Sequence, residues 1–502
     1  MCEVGAMDEV RERVGVAADL APGRAPTEPG RGGPGMSGAA PVLDASLVAR
    51  LRAVIADGVL PGAGDPVRSV SRGTAAAWVD LLAELEKVKH SVAAAQARAA
   101  VALDEVTRAA EADQGVRAER RGRGVPAQVG AAMTRSPHAG ASFLGAARVW
   151  VQQMPYTFEA LRVGALSEWR AMILVRETSH LSPEHRAVVD EEVCRDLAAL
   201  AGLGAKRLAA RVQAIAARLD VHATVRRLAR AEGERHVSVR PAPDLMVYLT
   251  ALVPMKQGIQ AYAQLRAHAD AARAAGDGRS GGQLMADALI ERVTGRDRAD
   301  DVPVTVNLLV SDETLLAGGA DPGVVLEGSS AGAGVVPAPV ARELVAAGVD
   351  ADAAWLRAIY VSPAGRMLAT TSTSRFFPSG ISAVLRARQQ GICATPYCDA
   401  PVRHADHVLP YGEGGATSLA NAQGLCVRCN HAKQAPGWVQ RLSGEDGPEV
   451  AETVTSTGHT YASVLPRPPR ALGRAAPRGG AILRPRRGTP RRSGSGSHPP
   501  GG

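Results

Sequence analysis

Aromatic residues are scarce in this chain of 502 residues, at 3%. With so few rings, Ala, Val and Leu must fill the interior, which favours helices packed through small side chains. Lysine is nearly missing as well: it occurs only at 87, 89, 206, 256 and 433, and arginine carries the rest of the positive charge. The Ala, Gly and Arg richness points to a GC-rich genome, which concerns origin and not function. Six cysteines in so long a chain exclude a disulfide scaffold. No run reaches the roughly 18 apolar residues that a membrane span needs. Residues 1–35 contain no apolar core of a signal peptide. These absences lead to the expectation of a soluble, cytoplasmic protein with no membrane partner.

Charge is unevenly placed. The net charge is +8, yet nine arginines and no acidic residue lie from Pro466 onward. Removing them from 58 basic residues leaves 49 against 50 acidic ones, so the body is close to neutral. The tail reads either as a flexible arm for phosphates or as a solubilising end.

The pattern divides the chain into five parts. Residues 1–40 are expected to be disordered, with Met36 as an alternative start. Residues 41–385 read as a mainly helical domain, 386–442 as a small metal-stabilised module, 443–465 as a short extension, and 466–502 as a disordered basic tail. Within the helical part, Thr74–Ala112 carries an apolar stripe of Trp78, Leu81, Leu82, Leu85, Val88 and Val92, with Thr74 placed to cap it. Further helices are expected over Phe143–Gln153, Glu159–Val163, Pro183–Ala201, Ala205–Leu219, Val221–Ala231, Met255–Ala275 and Gln283–Val293. Strand character is confined to His236–Arg240, Val302–Val310 and a hairpin of Ile359–Val361 with Met367–Thr371, while Gly328–Val335 reads as a loop. Val125–Val149, around Thr134-Arg135-Ser136-Pro137, is either a helix-turn-helix with Arg135 and Arg148 near DNA or two core helices joined by a turn.

The chemistry is concentrated near the C-terminus. Cys393 and Cys398 form one close pair and Cys426 and Cys429 another. Two such pairs about thirty residues apart in a cytosolic chain read as a tetrahedral zinc site. Four thiolates leave no open position, so this zinc is structural. It replaces a core that so short a segment cannot build. Between the pairs stand Asp406-His407, a loop with Gly412, Gly414 and Gly415, and Asn421; Asn430 and Lys433 follow the second pair. A histidine, a carboxylate and two asparagines suit phosphodiester hydrolysis.

Together these residues resemble the HNH (ββα-metal) nucleases that carry a zinc-ribbon-like cysteine set. The shared pattern is paired cysteines, D-H-x2-P ending at Pro410, the Gly414-Gly415 loop, Asn421, and L-C-x2-C-N-x2-K from Leu425 to Lys433. The resemblance implies that His407 is the general base and that Asp406 and Asn430 hold one divalent cation, Mg2+ or Mn2+, through oxygen. It implies that Asn421 fixes the His407 loop. His431 is an alternative ligand beside Asn430, and His404 a strand-surface residue. Lys433, Arg428 and Arg403 are the candidate DNA contacts, with a solvated helix end as the other account of Lys433. The implied activity is hydrolysis of DNA, with a homodimer as one way to cut both strands.

The longer helical part resembles the domain of unknown function that precedes HNH modules in many actinobacterial proteins, the 13E12-repeat type. Arg235-His236-Val237, Arg240 to Asp244, Gly276 to Arg279, Gln283 to Leu289 and Arg375-Phe376-Phe377-Pro378 carry that likeness. Gln389 departs from it, standing where an acidic residue is frequent. Arg375 faces either DNA or a carboxylate of the body. The competing function is a non-catalytic, zinc-stabilised DNA-binding or scaffolding protein of a mobile element or defence system. A third possibility makes the helical domain a restraint on the nuclease.

Overall fold

The computed structural model describes Val48 and residues 72–243, 246–298, 307–326, 334–350, 371–372, 374–443 and 449–466. The N-terminal segment before 41, the hairpin expected over 359–370, residues 302–306 and 328–333 of the expected strand and loop, and the tail beyond 466 lie outside the described residues.

From residue 72 the described residues form eight α-helices: α1 (Arg72–Asp113), α2 (Val125–Ala132), α3 (Pro137–Gln153), α4 (Pro155–Arg162), α5 (Glu168–Thr178), α6 (Pro183–Cys194), α7 (Ala205–Leu219) and α8 (Val221–Gly233). Serine marks three of their starts. The hydroxyls of Ser136, Ser167 and Ser182 accept from the backbone N–H groups of Ala139, Arg170 and His185, and Pro137 and Pro183 add a preset first turn. One core joins the first seven, built on Phe143, Leu144, Trp150, Met154, Leu161, Leu174, Leu208 and Val212. Trp150 donates its indole N–H to the Ala171 carbonyl at 3.2 Å, so the buried ring leaves no donor unpaired.

α1 differs from its sequence reading. It begins at Arg72, before the expected cap Thr74. Its stripe is not what the core takes up: Leu82, Val88 and Val92 are exposed, whereas Ala93, Ala94, Ala97, Ala100 and Val101 are buried. Contact begins about Lys87, where Gly164 packs against the helix, His90 meets the Gly164 carbonyl at 3.0 Å and Ser91 donates to the Arg162 carbonyl at 2.8 Å, and it deepens along the alanines that follow.

The 125–149 segment is a pair of core helices. Gly140 sits so close to α2 that a Cβ there would lie 2.2 Å from the Pro126 carbonyl oxygen. Arg135 pairs with Glu168 at 2.9 Å, and Arg148 pairs with buried Asp104 at 2.7 Å. Both arginines offered to DNA by the helix-turn-helix reading are thus half-buried and paired with carboxylates of the bundle.

A two-stranded hairpin follows, β1 (His236–Pro241) with β2 (Val247–Leu252), then α9 (Met255–Ala274) and α10 (Gly281–Thr294). The Gly276–Arg279 stretch is the turn between those helices, closed by Arg279 on Asp277 at 2.8 Å. Strands β3 (Asn307–Leu309), β4 (Gly323–Leu326) and β5 (Gly334–Val336) form a small antiparallel sheet around α11 (Asp312–Leu316), and α12 (Ala338–Asp350) comes next. β6 (Thr371–Ser372) and α13 (Ser379–Arg388) lead into the C-terminal module.

That module contains β7 (His404–His407), β8 (Thr417–Ser418), β9 (Ala422–Leu425) and α14 (Val427–Lys433), followed by the meander β10 (Val439–Ser443), β11 (Val450–Val454) and β12 (Thr460–Val464). The meander replaces the expected short extension. Ala451 and Leu465 pack against the four cysteines. Gln128 of α2 donates to the Thr457 hydroxyl in the β11–β12 turn, and the Trp438 indole lies where a Cβ on Gly124 would stand, so the module rests on the helical domain. Among the described residues no helix is long and apolar enough to cross a membrane.

Candidate active site and metal centres

The cysteine centre is built from two tight turns. Cys393 donates its N–H to Ala400 O at 2.9 Å, and Cys398 to Thr395 O at 3.0 Å; Tyr397 takes a positive φ of 62° to close the knuckle. Cys426 caps α14, its sulfur accepting from the Cys429 N–H at 3.4 Å. The four Sγ atoms lie within 4.8 Å of one another, all buried. The Cys398–Cys426 sulfur separation of 3.8 Å equals the edge of a tetrahedron with bonds of about 2.3 Å, the zinc–thiolate length. Sulfur contacts, those with Cys393 foremost, and burial push the Cys398 and Cys429 thiols up, so a compensating cation is what lets this set ionise. Soft donors, tetrahedral spacing and burial fit structural zinc.

Next to it stands a ββα unit. β7 and β9 pair antiparallel, with Asp406 opposite Gln423 and His407 opposite Ala422, and α14 packs on both strands. The strand alternation sends Asp406 and His407 to opposite faces. Asp406 faces α14, where Lys433 approaches its Oδ2 at 2.6 Å; Gln423 donates to the same oxygen at 3.1 Å. Lys433 also donates to the His407 carbonyl. This is a correction to its expected place as a DNA contact or solvated end: the ammonium is turned inward onto the site. Asn430 lies one turn before Lys433 on the same helix face. Its Oδ1 is buried and has no hydrogen-bond partner, an orphaned acceptor on the helix that packs against the Asp406 strand. A hard divalent cation takes oxygen donors of this kind. His431 is exposed.

His407 stacks on Phe377, ring centroids 4.4 Å apart, and its Nε2 meets the Thr417 hydroxyl at 2.9 Å. Burial holds the imidazole below its ordinary range; Asp406 opposes this while Lys433 and Arg375 reinforce it, and the net direction favours the neutral ring. Arg375 itself lies with its guanidinium 5.8 Å from the Phe376 ring.

The loop between β7 and β9 is tied by Asn421. Its Nδ2 donates to Leu409 O at 3.0 Å and Ala416 O at 2.9 Å, and its Oδ1 accepts from Leu409 N at 2.8 Å. Gly415 is required beneath it, because a Cβ there would fall 1.9 Å from Leu409 O. Arg403 and Arg428 are exposed.

Four supporting residues escaped the sequence reading. Thr417 orients His407. Buried Arg388 donates to Leu419 O at 2.9 Å and to Ala422 O, bracketing Asn421. Gln423 steadies Asp406, and Phe377 stacks on the ring. Gln389 is fully buried and clamps Gly424: its Oε1 accepts from the Gly424 N–H and its Nε2 donates to Gly424 O at 3.3 Å. A carboxylate at 389 could not make the second bond, which gives its departure from the acidic pattern a physical reason. The backbone partners of these residues are set by tertiary contact, so no local spacing signals them.

A family model described as a domain of unknown function, DUF222, matches residues 80–389, and one described as HNH endonuclease matches residues 393–435. The chain belongs to the DUF222 family. Its C-terminal HNH endonuclease domain points to nuclease activity on DNA. No curated protein and no solved structure matches the chain. The HNH match ends inside the turn after α14, whereas the zinc core draws on Ala451 and Leu465 further along.

Proposed function

We propose that the protein is an HNH endonuclease that hydrolyses DNA phosphodiester bonds with one divalent cation, Mg2+ or Mn2+, its catalytic module folded around a structural zinc. The buried, unpartnered Asn430 Oδ1, one helical turn from the lysine that meets Asp406, carries this reading, because folding around zinc gives no reason for an orphaned oxygen there. Asp406 and Asn430 would hold the cation. When bound, that ion supplies charge stabilisation of the phosphorane and of the leaving 3′ oxygen. His407 Nδ1 takes the proton from the attacking water, while Nε2–H donates to Thr417 and keeps the ring in the tautomer that can accept. Phe377 covers one face of the imidazole and limits its rotation. Asn421 and Arg388 hold the loop that sets the height of His407 over the sheet. Arg403 and Arg428 lie on the exposed side, where DNA phosphates would be met.

Nicking of supercoiled plasmid by the zinc-loaded full chain in Mg2+ or Mn2+ tests this. Cutting that EDTA abolishes and that His407→Ala lowers by at least about 100-fold is expected. Equal cutting by the variant would remove His407 from the role given to it.

A further inference from the structure

Beside the strand that carries His407 lies a cavity of about 240 Å3 whose wall is shared between Phe376, Phe377, Val402 and Ala405, with Arg386 and Arg403 at it as well. Three observations set it apart. The first is Phe376: the chain has four phenylalanines, and this one is 76% exposed. An exposed ring is a stacking platform, and the Arg375 guanidinium already lies over it at 5.8 Å from its centroid. The second is position. Phe377, in the same wall, stacks on His407, and Ala405 lies two residues before His407 on the same strand face. The cavity therefore adjoins the reacting centre. The third is size and charge. Its volume is under the roughly 300 Å3 at which small-molecule sites begin, which suits one planar ring, and both arginines are exposed cations able to take phosphate oxygens.

We propose that this cavity receives one unstacked nucleobase of the substrate strand, flanking the bond to be cut. Phe376 stacks on the base, and Arg386 and Arg403 hold the phosphates on either side. The proposal rests on the nuclease reading, since the neighbouring His407 centre defines which strand is presented. Stacking on an aromatic face accepts every base, so the pocket selects for an unpaired nucleotide and not for a sequence. DNA with a single-stranded stretch is the preferred ligand over an intact duplex.

The test uses the full-length His407→Ala protein, zinc-loaded, with a fluorescent single-stranded oligonucleotide and its duplex in anisotropy titrations. Phe376→Ala is expected to weaken single-strand binding about tenfold while changing duplex binding much less, and Phe376→Trp is expected to restore it. Arg386→Ala is expected to weaken both ligands similarly and to lower the salt dependence. Unchanged single-strand affinity in Phe376→Ala would overturn the proposal, as would equal loss on both ligands. Because Phe376 is exposed, circular dichroism should match the parent; a loss of fold is excluded by that spectrum and by the Phe376→Leu variant, which keeps bulk without the ring and is expected to bind like Phe376→Ala. Plasmid nicking by the wild type reports separately on the nuclease reading, so either can fail alone.

Discussion

The Lys433 ammonium lies 2.6 Å from Asp406 Oδ2 and also donates to the carbonyl of His407. One side chain thereby spans the two residues to which the proposed chemistry is assigned. It supplies positive charge to Asp406 before any cation binds, and it fixes the end of β7.

Lys433→Met tests that balance. The carboxylate loses a charged donor in a half-buried position, so the module is expected to lose about 1–2 kcal/mol without divalent cation. Removing a like charge from the cation site also strengthens Mn2+ binding, so the gain in melting temperature on adding Mn2+ should be larger in the variant than in the parent. Thermal scans with and without Mn2+ measure both. A smaller gain in the variant would show that the lysine assists the cation rather than competing with it.

The pH dependence follows from His407. Its imidazole is held below its ordinary value, mainly by burial. A general base works in its neutral form, and a lowered pKa keeps it neutral to lower pH. Under saturating Mg2+, the acid limb of the single-turnover cleavage rate is expected to have its midpoint below the free-imidazole value of about 6.5. A midpoint above that value would mean that Asp406, which pulls the other way, outweighs desolvation.

Zinc removal should act locally. Four buried sulfurs and a few small apolar side chains form the core of the cysteine centre, whereas the helical domain has its own core built on Phe143 and Trp150. Cys429→Ser is therefore expected to lower bound zinc from about one equivalent toward zero and to abolish nicking, while most far-ultraviolet helical signal persists. Metal analysis and circular dichroism check this. Collapse of the helical signal as well would show that α2 depends on its contacts with Trp438 and Thr457.

Legibility followed the range of the forces involved. The cysteine pairs were readable because ligand spacing is a local property, and α7 was found at its observed bounds because its apolar face repeats with the helical period. α5 was missed for the opposite reason: Met172, Ile173, Leu174 and Val175 are all buried, so no stripe distinguishes one face. The β10–β12 meander was missed because each strand is five residues long, too short for alternation to stand out, although Ala451 and Thr453 do alternate inward. The apolar stripe of α1 misled because periodicity reports a face, not whether a neighbour reaches it.

Gln389 gives a last prediction of this kind, because sequence marked it only as a departure. Its amide both accepts from and donates to the backbone of Gly424, in the strand opposite Asp406, and it is fully buried. Gln389→Glu removes the donor and leaves Gly424 O facing a carboxyl group in an apolar pocket. The expected cost is about 2–4 kcal/mol at neutral pH, where the acid must either bury its charge or hold a proton against the solvent. Because burial raises a carboxyl pKa, the protonated form, which can donate again, grows as pH falls. The variant's deficit relative to the parent should therefore shrink between pH 7 and pH 5 in urea unfolding. A deficit that stays constant over that range would mean that the introduced carboxylate reaches solvent, and that the β9 edge has opened to let it.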